Sequence, residues 1–183
     1  MKVILHVITS LGGGGAQRLL YTFLSKVAAG PNRHVVVSMI DEGGMGEPIR
    51  RLGLPVYTLG MRRGVPSLGA ILEFWRVLGE VKPGMIQSWM YHANLLAALA
   101  RRSRRVPIVW CLHATELEGN DYGIVSRWTR KACARLSPVP QVVVANSNAT
   151  FQYHYHSGYR ARRWEIIPNG FDTSQFKPRP SAR

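Results

Sequence analysis

The apolar stretch Val3-Ile4-Leu5-His6-Val7-Ile8 breaks at four consecutive glycines, Gly12-Gly13-Gly14-Gly15, and a helical pattern opens at Ala16. A strand feeding a glycine turn and then a helix leaves bare backbone N–H groups at the helix N-terminus. Such a site favours anions, phosphates above all. The well-formed strand before and helix after argue against a mere flexible connector. This punctuation implies a βα unit with a phosphate-bearing ligand at its first turn.

Two familiar phosphate motifs fail on inspection. A P-loop needs a Lys after its last glycine, and none follows here. The dinucleotide fingerprint Gly-x-Gly-x-x-Gly meets Gln17 or Arg18 at its third glycine, whichever start is chosen. Asp41, just past a second strand, still fits the ribose-binding acid of that fingerprint. An NAD(P)-dependent oxidoreductase domain therefore stays open as an alternative.

The remaining chain repeats the opening pattern. Strands are expected at 2–9, 34–40, 56–59, 85–89, 108–112, 142–145 and 165–167. Helices are expected at 16–29, 47–52, 67–81, 91–102, 124–136 and 149–157. Turns fall at Gly30-Pro31-Asn32, Gly53-Leu54-Pro55, Lys82-Pro83-Gly84 and Val106-Pro107. The strands are apolar runs, as expected where helices cover both faces. The fold class is α/β, a doubly wound, mostly parallel Rossmann-like sheet. At 183 residues the chain is long enough for one ordinary domain. No apolar run reaches about 18 residues, so no spanning helix is expected. Cys111 and Cys133 form no CxxC pair, read as packing residues, and point to a reducing cytoplasmic compartment.

In such sheets ligands bind beyond the carboxyl ends of the strands. That rim gathers Gly13, Gly14 and Gly15, Arg62, His92, His113, Asn146, Asn169 and Gly170. His113 closes the fifth strand, where an imidazole can donate to a ligand hydroxyl or exchange a proton with it. His92 lies in the first turn of the helix after strand four. Trp89 reads as core, and His6 and His34 as structural. His154 and His156 sit about 200° apart around a helix, so they cannot share a metal, and no metal site is expected.

Lys and Arg total 24 against 10 acids, a net charge of +14. Such a balance suits an anionic membrane surface, nucleic acid or an acidic substrate. Nucleic acid is not expected, because no aromatic-basic interleaving accompanies the charge. A non-catalytic basic module remains a second alternative. In the helix at 124–136, Arg127, Lys131 and Arg135 share one face, beside an apolar stripe of Val125, Trp128, Ala132 and Leu136. The expectation is a surface helix whose stripe packs on the sheet, with solvated charges. The alternative is approach to anionic lipid.

Taken in order, these motifs resemble family-4 retaining glycosyltransferases of GT-B architecture, which have two Rossmann-like domains around a cleft. Gly13-Gly14-Gly15-Ala16-Gln17-Arg18 is similar to the family's Gly-Gly-Ala-Glu-Arg turn, with Gln17 in place of Glu. Trp89-Met90-Tyr91-His92-Ala93-Asn94 is similar to its segment after strand four, and Leu112-His113 to its strand-five histidine. Ile167-Pro168-Asn169-Gly170-Phe171-Asp172, with Phe176-Lys177-Pro178, resembles the segment closing its first domain.

The resemblance implies an N-terminal, acceptor-side domain over 1–178 and the start of an interdomain linker at 179–183. The C-terminal donor-binding domain, with its Glu-x7-Glu motif, would lie outside this sequence. It implies transfer of a sugar from a nucleotide-diphosphate donor to an acceptor hydroxyl of a polysaccharide, glycolipid or lipid-linked acceptor. No further cofactor is implied. Gly13, Gly14 and Gly15 would hold the donor diphosphate and His113 would act in catalysis. His92, Arg62, Asn146, Asn169 and Gly170 would line the acceptor cleft. A cytoplasmic protein, peripheral on the inner face of the membrane, is the expected setting.

Overall fold

The computed structural model describes residues 1–62, 67–104, 106–113 and 124–170. Among them, strands β1 (Val3–Ile8), β2 (Arg33–Ser38), β3 (Val56–Thr58), β4 (Met85–Trp89), β5 (Ile108–Leu112), β6 (Val142–Ala145) and β7 (Trp164–Ile166) alternate with helices. The helices are α1 (Gly15–Val27), α2 (Gly43–Arg51), α3 (Leu68–Val81), α4 (Tyr91–Arg104), α5 (Ile124–Leu136) and α6 (Asn148–His156). The strands form one parallel sheet in the order β3-β2-β1-β4-β5-β6-β7. This is the doubly wound α/β architecture that the alternation of elements requires.

Both faces of the sheet are covered. Leu5, Val7, Val35, Val37, Ile86 and Trp110 join one core with Phe74 and Leu78 of α3 and Leu96 of α4. Ile8, Val36, Trp89 and Cys111 join a second core with Leu20 and Leu24 of α1 and Ile49 of α2. Successive residues of each strand thus serve opposite cores, which is why the strands read as unbroken apolar runs. Both cysteines are buried and free, as packing residues should be.

Local signals set most boundaries. The Ser67 hydroxyl caps α3 by accepting from the Ala70 amide at 3.3 Å. Lys82, in the left-handed region at φ 47°, ends α3 just before Pro83, which cannot continue it. Ser147 caps α6 by accepting from the Thr150 amide at 3.0 Å.

Helix α2 departs from expectation. The expectation from sequence places its start at Glu47. It begins four residues earlier, at Gly43, with Pro48 inside. The cause is tertiary. Gly43 lies at φ +44°, and a Cβ there would stand 2.4 Å from the Leu11 carbonyl and from the Gly12 nitrogen. The Met45 amide donates to the Leu11 carbonyl at 2.9 Å. The glycines after β2 let α2 press its first turn onto the glycine turn after β1.

Replacing Gly43 by Ala should therefore destabilise the fold by roughly 2 kcal/mol or more, through a strained φ and a backbone clash. Gly44→Ala is the matched control, since a Cβ there meets nothing within 4 Å. Urea unfolding of the two variants checks this. Equal midpoints would remove the bracing role.

Candidate functional site

Strand order reverses between β1 and β4: β2 and β3 extend one way, β5 to β7 the other. A parallel sheet has its ligand crevice at that switch point. The glycine turn follows β1, and Met90-Tyr91-His92 follows β4, so both border the crevice.

The turn is built for access. Helix α1 begins on Gly14, at φ −164° and ψ 171°, with no side-chain cap and no acid in its first turn. Its first amides therefore lack the usual capping oxygen. None of Gly12 to Gly15 occupies the left-handed region, so backbone handedness does not demand glycine here. At Gly14 a Cβ would lie 2.5 Å from Gln17 Oε1, the movable end of a side chain that would have to turn away; at Gly13 and Gly15 a Cβ would meet nothing within 4 Å. Gln17, in the place of an acid, turns its carboxamide to the Gly14 backbone and is 9% exposed.

His113 follows β5, the neighbour of β4. Its ring stacks on Trp89, with centroids 5.2 Å apart and planes within 9°. Both ring nitrogens are buried, and neither has a hydrogen-bond partner of normal geometry among the described residues. Burial pushes its pKa down to about 4, and the Asn169 side chain opposes that shift. The imidazole is thus neutral at pH 7. Asn169 follows β7, two strands from β5, so the chain after β7 folds back across the rim to reach His113.

Behind Trp89 the aromatic contacts continue. Trp89 meets His6 at 6.4 Å, and His6 stacks on His34 at 5.2 Å, with His6 Nε2 and His34 Nδ1 2.9 Å apart. Phe23 of α1 packs edge-on to His6. Complete burial, with the His34 charge adding to it, lowers the His6 pKa to about 3. The structural reading of His6 and His34 holds. Trp89, read from sequence as core, is buried as expected and is also the surface on which His113 rests. No period or motif distinguishes the two roles in the sequence.

The other rim residues divide. His92 is half-buried in the first turn of α4, and burial lowers its pKa. It follows Met90, a non-glycine residue at φ 77°. Such strain clusters at functional sites, and sequence carries no signal for it. Asn146 Oδ1 accepts from Thr150 Oγ1 at 2.6 Å, which ties it into the α6 cap. Gly170 is exposed, with open space where a Cβ would stand. Arg62 is exposed beyond β3 at the far sheet edge, four strand spacings or about 19 Å from the end of β5. The fold does not bring it to His113.

One expectation is corrected. The apolar stripe of α5 does not pack on the sheet: Val125 is 47%, Trp128 68% and Leu136 37% exposed. The helix buries Thr129 and Cys133 instead. Their polar groups are satisfied locally, Thr129 Oγ1 donating to the Val125 carbonyl at 2.8 Å and Cys133 Sγ to the Tyr91 carbonyl at 3.3 Å. Small side chains with internal partners suit a close helix contact better than Trp128 would. Among the described residues, no helix is long and apolar enough to cross a membrane. Nor do three His, Cys, Asp or Glu residues there converge as metal ligands.

The family model of Glycosyltransferase Family 4 matches residues 13–175. A comparison with curated proteins gives no match. Solved structures do match. HepE of Anabaena in complex with UDP aligns at TM-score 0.75 and 24% identity, over 99% of this chain and 47% of that one. The same protein with UDP-glucose aligns at 0.75 and 22%, over 99% and 47%. Sucrose-phosphate synthase of Thermosynechococcus elongatus aligns at 0.75 and 11%, over 100% and 52%. At such identities the likeness shows the fold. The chain spans about half the length of these proteins.

His113 and His6, the most strongly depressed of the buried histidines, set a pH dependence. Unfolding releases His113 from about 4 and His6 from about 3 to the ordinary value of 6.5. Below pH 6.5 the unfolded chain binds protons that the fold refuses, so stability falls as pH falls, until each folded pKa is passed. Each histidine contributes a slope of roughly 1.4 kcal/mol per pH unit within its window. Urea midpoints at pH 7, 6 and 5 should decline accordingly, and His113→Gln should flatten the decline. An unchanged slope in that variant would show that the His113 ring titrates normally.

Proposed function

The chain belongs to glycosyltransferase family 4, and from that premise we propose that it is the N-terminal, acceptor-side half of a retaining GT-B enzyme. The whole enzyme moves a hexose from a nucleotide-diphosphate donor to an acceptor hydroxyl. The second half, which holds the nucleotide, faces the rim described above. The uncapped, unobstructed amides at Gly13, Gly14 and Gly15 carry this reading. The UDP and UDP-glucose complexes of HepE support a nucleotide-sugar as the ligand.

In the reaction, charge develops on the departing diphosphate. Backbone N–H groups fixed at the start of α1 stabilise that charge without reorganising, which is why no metal is required of this half. Neutral His113 acts at the transferring sugar or its leaving oxygen, held in plane by Trp89. A neutral imidazole offers one N–H and one bare nitrogen, so it can donate to a sugar oxygen without adding a cation. For the sugar to reach the ring, the Asn169 turn lying against it shifts aside. His92, Asn169 and Gly170 line the acceptor side. Hydride transfer fits less well, since the dinucleotide fingerprint fails and the family match is to sugar transfer.

NMR titration of the chain with UDP tests the carrying observation. The amide signals of Gly13, Gly14 and Gly15 should move, and those of Gly53 and Gly158 should not. A Cβ at Gly15 meets no atom within 4 Å and improves helix propensity, so Gly15→Ala should keep the unfolding midpoint yet weaken the shifts. Shifts centred elsewhere, or none, would end this reading. The chain alone should show no transfer from a nucleotide-sugar.

A peripheral setting on an anionic inner-membrane face, reaching a lipid-linked acceptor, is favoured by the exposed stripe of α5 beside Arg127, Lys131 and Arg135. Trp128→Ala should reduce co-sedimentation with phosphatidylglycerol vesicles several-fold. Undiminished sedimentation would separate α5 from any membrane role.

A further inference from the structure

Apart from the glycine turn, a cleft of about 290 Å³ opens between α5 and α6. Helix α5 lines it with Arg127, Arg130 and Lys131, α6 with Tyr153 and His154, and α4 with Tyr91, the residue before His92. The three cations sit at i, i+3 and i+4, a spacing at which like charges destabilise a helix. None has an ion-pair partner among the described residues, whose salt bridges all lie elsewhere. Arg130 donates to the Tyr153 hydroxyl at 3.4 Å.

The wall behind them is held by hydrogen bonds. His154 Nδ1 lies 2.7 Å from the Thr150 carbonyl, which can only accept, so that nitrogen carries the proton. Nε2 then accepts from the Tyr91 hydroxyl at 2.8 Å. Tyr159, also lining the cleft, is 1% exposed, and its hydroxyl is engaged with the Cys133 thiol of α5. The Lys131 ammonium lies over the Trp128 ring, 5.9 Å from its centroid, at the edge of the cleft. A cleft lined by three cations, with a fixed neutral wall and no acid paired to them among the described residues, lacks a counter-ion with several acceptor oxygens.

We propose that the α5–α6 cleft binds a phosphoryl group through Arg127, Arg130 and Lys131. A phosphoryl group brings several acceptor oxygens and up to two negative charges, which suits two guanidinium forks and an ammonium. The volume holds more than a bare ion, so the group arrives on a small ester. Its source is either a lipid headgroup, which the exposed Trp128 stripe next to the cleft would bring close, or a soluble phosphate ester. The inference stands apart from sugar transfer, since it involves neither the glycine turn nor His113.

Calorimetric titration of the chain with inorganic phosphate at constant ionic strength tests it. Binding should saturate, and should weaken about tenfold or more in R127Q/K131Q. It should be unchanged in K26Q/R162Q, which removes the same charge from exposed positions outside the cleft. Circular dichroism confirms that both variants fold. Phosphatidylglycerol vesicles then identify the source. Loss of vesicle binding in R127Q/K131Q, with release of the wild-type chain by added phosphate, assigns a lipid headgroup. Vesicle binding that survives both assigns a soluble ester. No saturable phosphate binding, or equal weakening in the two variants, overturns the proposal.

Discussion

The approach of Gly43 to Leu11 and Gly12 fixes where α1 can begin. With no side chain at Gly43, the first turn of α2 presses on the backbone that leaves β1, and the Met45 amide is bonded to the Leu11 carbonyl. That contact holds the glycine turn from one side, while β4 flanks β1 on the other. A glycine turn is otherwise costly to order, since glycine loses more conformational freedom than any other residue. Bracing transfers that loss to folding. The first amides of α1 are thereby fixed in direction by the fold itself, as the proposed diphosphate site requires.

Much of this was legible in the sequence. Apolar runs bounded by Gly and Pro gave every strand to within about two residues, because burial on both faces leaves no other pattern for a parallel strand. The rim also followed, since topology alone assigns the carboxyl ends of strands to it. What escaped were features created by contacts between distant segments. The start of α2 depends on Leu11, not on Glu47 or Pro48. The strained Met90 and the return of Asn169 to His113 depend on how β4 and β7 enter the sheet. The stripe on α5 misled for a related reason. Its period is sound, yet burial was decided by the fit of Thr129 and Cys133 against α4.

Trp89 shows why core and site resist separation in this fold. It fills the core between α1 and the sheet, and its other face carries His113. The same packing that excludes water also depresses the proton affinity of the imidazole. Rigid orientation and a neutral ring therefore have one cause. The column continues through His6 to His34, so the position of His113 is tied by ring contacts to β1 and β2 across the switch point.

Charge is distributed in a way that folding does not require. The salt bridges among the described residues pair Arg50, Arg51, Arg76 and Arg163 with exposed acids, and such pairs add little stability. The cations of α5 lack even these partners and repel one another along one helix face. Stability would favour interspersed acids there, and solubility would be served by charges spread over the surface. Crowding Arg127, Arg130 and Lys131 around a cleft, next to an exposed tryptophan, opposes both. A surface so arranged would gain from an anion that filled it, as the proposed phosphoryl site supposes. On the proposed reading, this part of the chain's basic character serves a ligand or a membrane, since the fold itself does not call for it.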